Sequence, residues 1–565
     1  MALGRFQLCL HSHMPYVLSH GKSPHGTDWI NESAVECYLP LLDVLSRLEE
    51  RGIKPRWTLN ITPILAEQLA DESFKNDFEG YCKDKIGYAE EDAEKFRKQN
   101  ELGYVGLAEF WQRTFRKYLD QYKNRWGRSI LEGFRHFQDS GSIELITSAA
   151  THGYLPLLGT DESVKAQVEL GVRTYEKHFG RKPRGMWLPE CAYRPGYDWK
   201  PPTFETAQVI AGSKRAGVDE VLRDCGIEYM FVDSHMVKGG QPLGTYASKF
   251  PQLAELFAQS SKFFVPPTDI RSEYEVYDLP SGVKIFSRDP QTTVKVWSGE
   301  HGYPGDEHYL EFHKQLYPGR LRYWRVSQDK GDLGRKAPYD PWLAFERLGV
   351  HAQDMAETVG STLGSYLGVS GHQGTLTAMY DTELFGHWWW EGPEFLYELA
   401  SRLDAIGQVR CMSGSEIIDE IPVHKTISLP EGSWGEGGYH YVWLNDSNFW
   451  TWEKLYRAEQ RLNELTTTQP ETDLERELLE QAARELLLAQ SSDWQFLIST
   501  FSASDYSEVR IQDHIDRFNM LATMSEEIRA GNELSESEKT YFNDCKDKDS
   551  PFPELELSLW QTHHD

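Results

Sequence analysis

"RFQLCLHSH", residues 5–13, is a short apolar run of strand length that ends on two histidines one residue apart. Six further runs share its character: "RWTLNI" (56–61), "SIELIT" (142–147), "RGMWLP" (184–189), "IEYMFV" (227–232), "VKIFSR" (283–288) and "TLTAMY" (375–380). Longer, helix-compatible segments separate them, so each run reads as a strand and each interval as a crossover. Seven strands alternating with crossovers predict a parallel sheet. The economical form of that sheet is a closed seven-stranded (β/α) barrel, an α/β fold.

Two segments do not fit the alternation. Residues 68–140 have helical periodicity and far exceed a crossover, which predicts an inserted helical subdomain. After about residue 415 strand signals fade, and "WTWEKLYRAEQRLNEL" and "DLERELLEQAARELLLAQSSDWQFLIS" read as helices with buried Leu, Ala and Trp faces. The expected organisation is a catalytic barrel over 1–415 and an all-helical C-terminal domain over 416–565 that contributes to the cleft. Glycines and prolines at its edges mark about 235–265 as a mobile excursion of lid type.

The 565 residues are 39% hydrophobic and 13% aromatic, enough for a large core, and their charges are interspersed. A formal charge of -28 repels nucleic acid and anionic membranes. A neutral substrate fits it better. Seven scattered cysteines without a CxxC pair suit free buried thiols in a reducing compartment. The N-terminal residues lack the features of a signal peptide and no eighteen apolar residues run together, so a soluble, cytoplasmic protein is expected, and separately a monomer.

Chemistry in such barrels gathers past the C-terminal ends of the strands. The residues there are His11 and His13, Asn60, His152, Glu190, Asp233 and His235, Arg288 and Asp289, and Asp381 and Glu383. Two carboxylates on different strands suit retaining glycoside chemistry, one as nucleophile and one as acid/base, with carboxyls about 5–5.5 Å apart. Glu190 and Asp381 are the candidates, and Glu383 competes with Asp381 for the second role. "FGHWWWEG" (385–392), "GSWGEGGYHYVWLND" (432–446) and "NFWTWEK" (448–454) are dense in tryptophan, whose flat faces suit sugar C–H surfaces as well as a core. His11 and His13 could instead begin a zinc site, its third ligand His152, Asp233 or His235.

"LHSHMPYV", "ELITSAATHGYLPLL", "WLPECAYRPG", "YDTELFGHWWWEG" and "GSWGEGGYHYVWLND" follow the order of the signature regions of glycoside hydrolase family 57, which the chain resembles from residue 5 to about 500. The resemblance is fullest to α-1,4-glucan branching and implies Glu190 as nucleophile and Asp381 as general acid/base. It implies His11, His13 and His152 at the donor subsite, and Arg288, Trp297, Trp434 and Trp443 against the glucan, with Trp29 and Asp493 as weaker matches. It implies no metal and no other cofactor. His235 and Tyr246 are the lid candidates, and residues 247–264 look like an extra stretch. Arg194 is expected to pair with Glu190 or a neighbouring carboxylate. The alternatives are 4-α-glucanotransferase or α-amylase chemistry on the same scaffold, a zinc-dependent glycosidase or deacetylase, and a non-catalytic glucan-binding protein.

Overall fold

The computed structural model describes residues 2–201, 213–239, 269–299, 301–327, 332–421 and 425–561. Its centre is a ring of seven strands: β1 (Gly4–Ser12), β2 (Trp57–Ile61), β3 (Ile143–Ile146), β4 (Gly185–Met186), β5 (Tyr229–Val232), β6 (Lys284–Ser287) and β7 (Gly374–Asp381). Parallel ladders join β7–β1–β2–β3 and β4–β5–β6. Parallel bridges Thr147–Met186 and Arg288–Thr377 close the ring in chain order. These are the seven runs read from the sequence.

Strand alternation explains the composition of the runs. In β1, Phe6, Leu8 and Leu10 belong to the large outer core, whereas Cys9 joins Ile146, Trp187, Tyr229, Phe231, Phe286 and Met379 in a separate cluster inside the ring. Gln7 shares the parity of Cys9 and exchanges hydrogen bonds with the hydroxyls of Thr58 (3.3 Å) and Thr377 (3.2 Å). The interior is therefore packed, and His11, next in that parity, reaches its upper rim.

A short strand at Val409–Cys411, absent from the sequence reading, pairs parallel with Gly4–Phe6. Three residues are too few for periodicity to register.

Between β2 and β3 the chain forms helices Pro63–Ala70, Glu72–Lys98, Leu102–Asp120 and Ile130–Asp139. Asp71 caps the second, accepting from the Ser73 N–H at 2.7 Å. Trp111, fully buried on the third, donates to the Arg322 carbonyl at 2.6 Å and so ties this insertion to the segment after β6.

Helices Phe449–Thr466, Asp473–Ala489, Ser492–Thr500, Ser504–Arg529 and Glu536–Lys548 make up the C-terminal region. Their Leu478, Leu486, Trp494 and Phe518 share one continuous core with Tyr16 and Leu155 of the barrel loops. A bridge between Gly153 and Ser491 and the Thr151 hydroxyl bonded to the Leu487 carbonyl fix the start of Ser492–Thr500 against the loop after β3. That junction carries two C-terminal polar residues into the barrel mouth. No helix among the described residues is long and apolar enough to cross a membrane. All seven cysteines are free.

Candidate active site

Register sets the level of the first groups. His11 on β1 lies opposite Asp381 on β7 and Asn60 on β2, so the three share the C-terminal rim. The loops after β3 and β4 then bend inward through left-handed backbone. His152 has φ 60°, Glu190 φ 59° and Cys191 φ 47°. Each such non-glycine residue costs about 1–3 kcal/mol, so its surroundings must hold it. For Glu190 they do: Cys191 is locked in the barrel interior, and the Glu190 carbonyl accepts from the Trp434 N–H at 3.1 Å.

The Glu190 carboxyl is held on both oxygens. Oε2 accepts from the Trp434 indole Nε1 at 2.9 Å, and Oε1 lies 3.2 Å from Ser492 Oγ and 4.0 Å from His152 Nδ1. Burial pushes its pKa up to about 7; the indole bond opposes this, and the nearby Asp381 and Asp493 charges add to it. Burial also raises Asp381 well above the usual carboxylate range, reinforced by Glu383 and opposed by Arg288. Neighbouring carboxyls in unlike settings divide into acid and base. The indole donor on Glu190 favours its anion, while the Asp381 carboxyl has no hydrogen-bond partner among the described residues, which favours its acid form. Glu383 accepts from Tyr38 Oη at 2.6 Å and from the His13 N–H at 3.3 Å. Those two bonds hold it where its charge raises Asp381.

The histidines stack as a group, His11 on Trp187 (ring centroids 4.7 Å apart) and His13 on His152 (4.0 Å). Burial pushes His11 down to about 3 and His152 well below its ordinary value, so both are neutral. His13 Nε2 meets Asp493 Oδ2 at 2.8 Å and its Nδ1 meets the Thr62 hydroxyl at 3.0 Å. Burial would raise Asp493, but His13 holds it below the usual range. His13, His152 and Asp493 bring ligand atoms within 4.8 Å of one another, as a metal would need. The nitrogens are already committed, however: those of His13 to Asp493 and Thr62, those of His152 to His11 (3.1 Å) and Ser492 (2.9 Å).

Trp434 is half-buried, edge-on to Trp187 and Trp297 at 5.1 and 5.7 Å, with the Arg288 guanidinium 5.4 Å from its ring centre. Trp297 donates to the Met379 carbonyl at 3.4 Å. Trp29 lies farther out, packed with His25 and Tyr506.

Several expectations are corrected. Trp443 is 1% exposed and stacks on Tyr154 at 4.6 Å, so it backs the site and has no open face for a sugar. Arg288 is buried and committed to Asp233, and Asp289 caps the helix Pro290–Trp297. Arg194 does not pair with Glu190; it donates to the carbonyls of Pro156 and Pro195. His235 is packed rather than free to swing, its Nε2 3.1 Å from the Gly438 carbonyl. Tyr246, the extra stretch 247–264 and most of the expected lid lie outside the described residues. Ser492 was missed: one serine in "AQSSDWQ" carries no signal beyond its neighbour Asp493.

A seven-stranded barrel with opposed carboxyls, neutral histidines and tryptophans at its mouth is a glycosidase-type enzyme. Residues 7–430 match glycosyl hydrolase family 57, and residues 454–560 match the region described as 1,4-alpha-glucan branching enzyme, C-terminal. The chain belongs to glycosyl hydrolase family 57. It is 39% identical over 551 residues to a 1,4-alpha-glucan branching enzyme of Thermococcus kodakarensis, covering 97% of this chain and 77% of the relative. Among solved structures it is similar to a GH57-type branching enzyme from Pyrococcus horikoshii (38% identity, TM-score 0.88, covering 100% and 97% of the two chains). It is also similar to the α-amylase AmyC from Thermotoga maritima (28% identity, TM-score 0.81, 100% of both chains).

Proposed function

We propose that this chain is a 1,4-α-glucan branching enzyme that cleaves an α-1,4 linkage and transfers the released segment to a C6 hydroxyl, forming an α-1,6 branch with retention of configuration. The carrying observation is the unequal pair at the mouth: Glu190, gripped on both oxygens, and Asp381, partly buried with no donor on its carboxyl. Similarity to branching enzymes along nearly the whole chain supports transfer over hydrolysis, and the matched C-terminal region strengthens it.

In the first step Glu190 attacks the anomeric carbon while Asp381 protonates the departing glycosidic oxygen, leaving a covalent glycosyl–Glu190 ester. In the second, Asp381 takes the proton of an acceptor C6 hydroxyl. The new oxygen bonds to the anomeric carbon, and the Glu190 ester bond breaks. Water in place of the acceptor gives hydrolysis, so covering of the mouth governs the outcome. Ser492, Asp493 and the Trp434 loop bring C-terminal groups over that mouth. The chain accordingly divides into a catalytic part over 1–415, with its helical insertion at about 68–140, and a helical part over 416–565 that completes the cleft. His11, His13 and His152 bind donor hydroxyls, Trp297 and Trp434 the glucan faces, and Trp29 an outer sugar. α-1,4-Glucan is the partner, in the cytoplasm, and no cofactor takes part.

Similarity to an α-amylase favours a second reading, hydrolysis on the same scaffold. Incubation with amylose, followed by NMR of the α-1,4 and α-1,6 anomeric protons and a reducing-end assay, separates the two. Branching gives growth of the α-1,6 signal with few new reducing ends. Reducing ends without α-1,6 linkages overturn it.

A further inference from the structure

We propose that Ser492 is a positioning residue for Glu190, coupling its carboxyl to a directional hydrogen-bond chain that runs through His152, His11 and Asn60 to a backbone carbonyl of β3. The inference rests on the reading of Glu190 as nucleophile and adds a C-terminal residue to its machinery.

The direction of the chain is set at its far end. Asn60 Nδ2 lies 3.0 Å from the Ile146 carbonyl, which can only accept, so the amide nitrogen must face it and Oδ1 must face His11. Asn60 Oδ1 then accepts from His11 Nδ1 at 2.6 Å. A neutral His11 therefore offers a lone pair at Nε2, 3.1 Å from His152 Nε2, and His152 must be the donor there. His152, neutral in turn, offers a lone pair at Nδ1, and Ser492 Oγ–H donates to it at 2.9 Å. The single hydroxyl proton of Ser492 is thus spent. Its oxygen faces Glu190 Oε1 at 3.2 Å as an acceptor, and the complementary partner is a protonated Glu190.

A second arrangement satisfies the same groups. Glu190 passes its proton to Ser492 Oγ while Ser492 passes its own to His152 Nδ1. Glu190 is now a carboxylate accepting from Ser492, and His152 is an imidazolium donating to Ser492 Oγ. Two protons move, each along an existing contact, and no group is left unpaired. Burial disfavours the imidazolium, so the second arrangement is a minor one through which the Glu190 proton leaves before attack. Groups facing Glu190 are Asp381, Asp493, His13, His152, Tyr154 and Cys191, and those facing His152 are His11, His13, Asp493 and Glu190, so the Glu190–His152 proton is shared within a field of both signs. Because Ser492 opens the helix Ser492–Thr500, the chain of contacts is complete only with the C-terminal helices docked.

The test is the pH dependence of kcat/KM, with kcat and KM separated, for the full-length Ser492→Ala and Ser492→Thr variants beside Glu190→Gln; circular dichroism establishes that each is folded. Ser492→Ala removes the oxygen that accepts from the protonated carboxyl, and with it one of the two holds on Glu190. We expect kcat to fall about tenfold or more at little-changed KM and the acid limb to move to lower pH, with Ser492→Thr restoring both. Asn60→Leu frees the chain to reverse and lets Ser492 donate to Glu190 while both histidines stay neutral, so its acid limb should also move to lower pH. An unmoved limb in Ser492→Ala beside an inactive Glu190→Gln overturns the coupling alone. An active Glu190→Gln overturns the nucleophile reading and the coupling with it.

Discussion

Trp434 and Glu190 are joined twice: the indole Nε1 donates to the carboxyl Oε2 at 2.9 Å, and the Trp434 backbone N–H donates to the Glu190 carbonyl at 3.1 Å. One bond holds the left-handed backbone that aims the side chain, and the other stabilises its charge. A loop contributed by the C-terminal part of the chain therefore completes a group presented by β4.

Trp434→Phe keeps the ring and the backbone bond but deletes the indole donor. That bond holds the Glu190 pKa down against burial, so its loss should raise the pKa above about 7. Attack needs the carboxylate, and the acid limb of kcat/KM should move to higher pH. A hydrogen bond to a charged group is worth about 1.5–3 kcal/mol, which corresponds to a loss of about 10- to 100-fold below the shifted limb. A pH–rate profile checks it, and an unshifted limb would remove the indole from the account.

Azide separates the roles of the two carboxyls, because it needs no general base. With an α-glucosyl fluoride donor, Asp381→Ala still forms the ester at Glu190, and azide should release it as the α-azide with configuration retained. Glu190→Ala leaves the nucleophile's side open, and azide attack there should give the inverted β-azide. Anomeric proton couplings distinguish the two products. Reversed stereochemistry would exchange the assignments.

How far the sequence carried this reading depends on the kind of signal. The seven barrel strands were legible because each is a short apolar-rich run between longer helix-compatible segments, even β4, where only Gly185–Met186 pair as strand. Strand ends then located Glu190, Asp381 and the histidines, since a parallel barrel brings those ends together. What stayed hidden depends on tertiary approach. Val409–Cys411 is too short for periodicity, and Ser492 reaches Glu190 across 302 residues. Trp443 and Trp434 look alike in a glycine-rich loop, yet one packs on Tyr154 and the other bonds Glu190. Arg194 sits four residues from Glu190, but its donors reach backbone carbonyls instead.

The Asp233–Arg288 pair beneath Trp434 is almost fully buried, with side chains 1% and 6% exposed. Burial would raise Asp233, but Arg288 holds it well below the usual carboxylate range. Asp233→Ala strands a buried guanidinium and should cost about 3–5 kcal/mol. Replacing both partners, as in Asp233→Ala with Arg288→Met, should recover much of that loss, because the stranded charge is gone. The linked pH effect has a definite sign. A depressed carboxylate contributes stability above its unfolded pKa near 3.8 and loses it as pH falls through the folded value, so the wild-type advantage over the double variant should shrink on strong acidification. Thermal unfolding across pH checks both statements.

Gly386 tests the segment that follows Asp381. Its backbone has φ 122°, and a Cβ there would lie 1.8 Å from the Glu36 carbonyl oxygen, a backbone atom that cannot rotate away. Its N–H donates to the Trp389 carbonyl at 2.7 Å, closing the turn whose Glu383 carbonyl oxygen lies 3.9 Å from Cys37 Sγ. Gly386→Ala must therefore displace either the turn or the Ala34–Tyr38 segment, and Tyr38 holds the Glu383 carboxyl. Gly371→Ala is the matched control: φ is 78°, but nothing lies within 4 Å of the added carbon. The control should show only the left-handed penalty of about 1–2 kcal/mol. Gly386→Ala should exceed it, at about 4 kcal/mol or more, as expected where strain and a backbone clash combine. Activity should fall with it, because Asp381 leads into the displaced turn and Glu383 sits on it. Denaturation midpoints and kcat for the two variants check this, and equal losses would mean that Glu36 yields without disturbing the mouth.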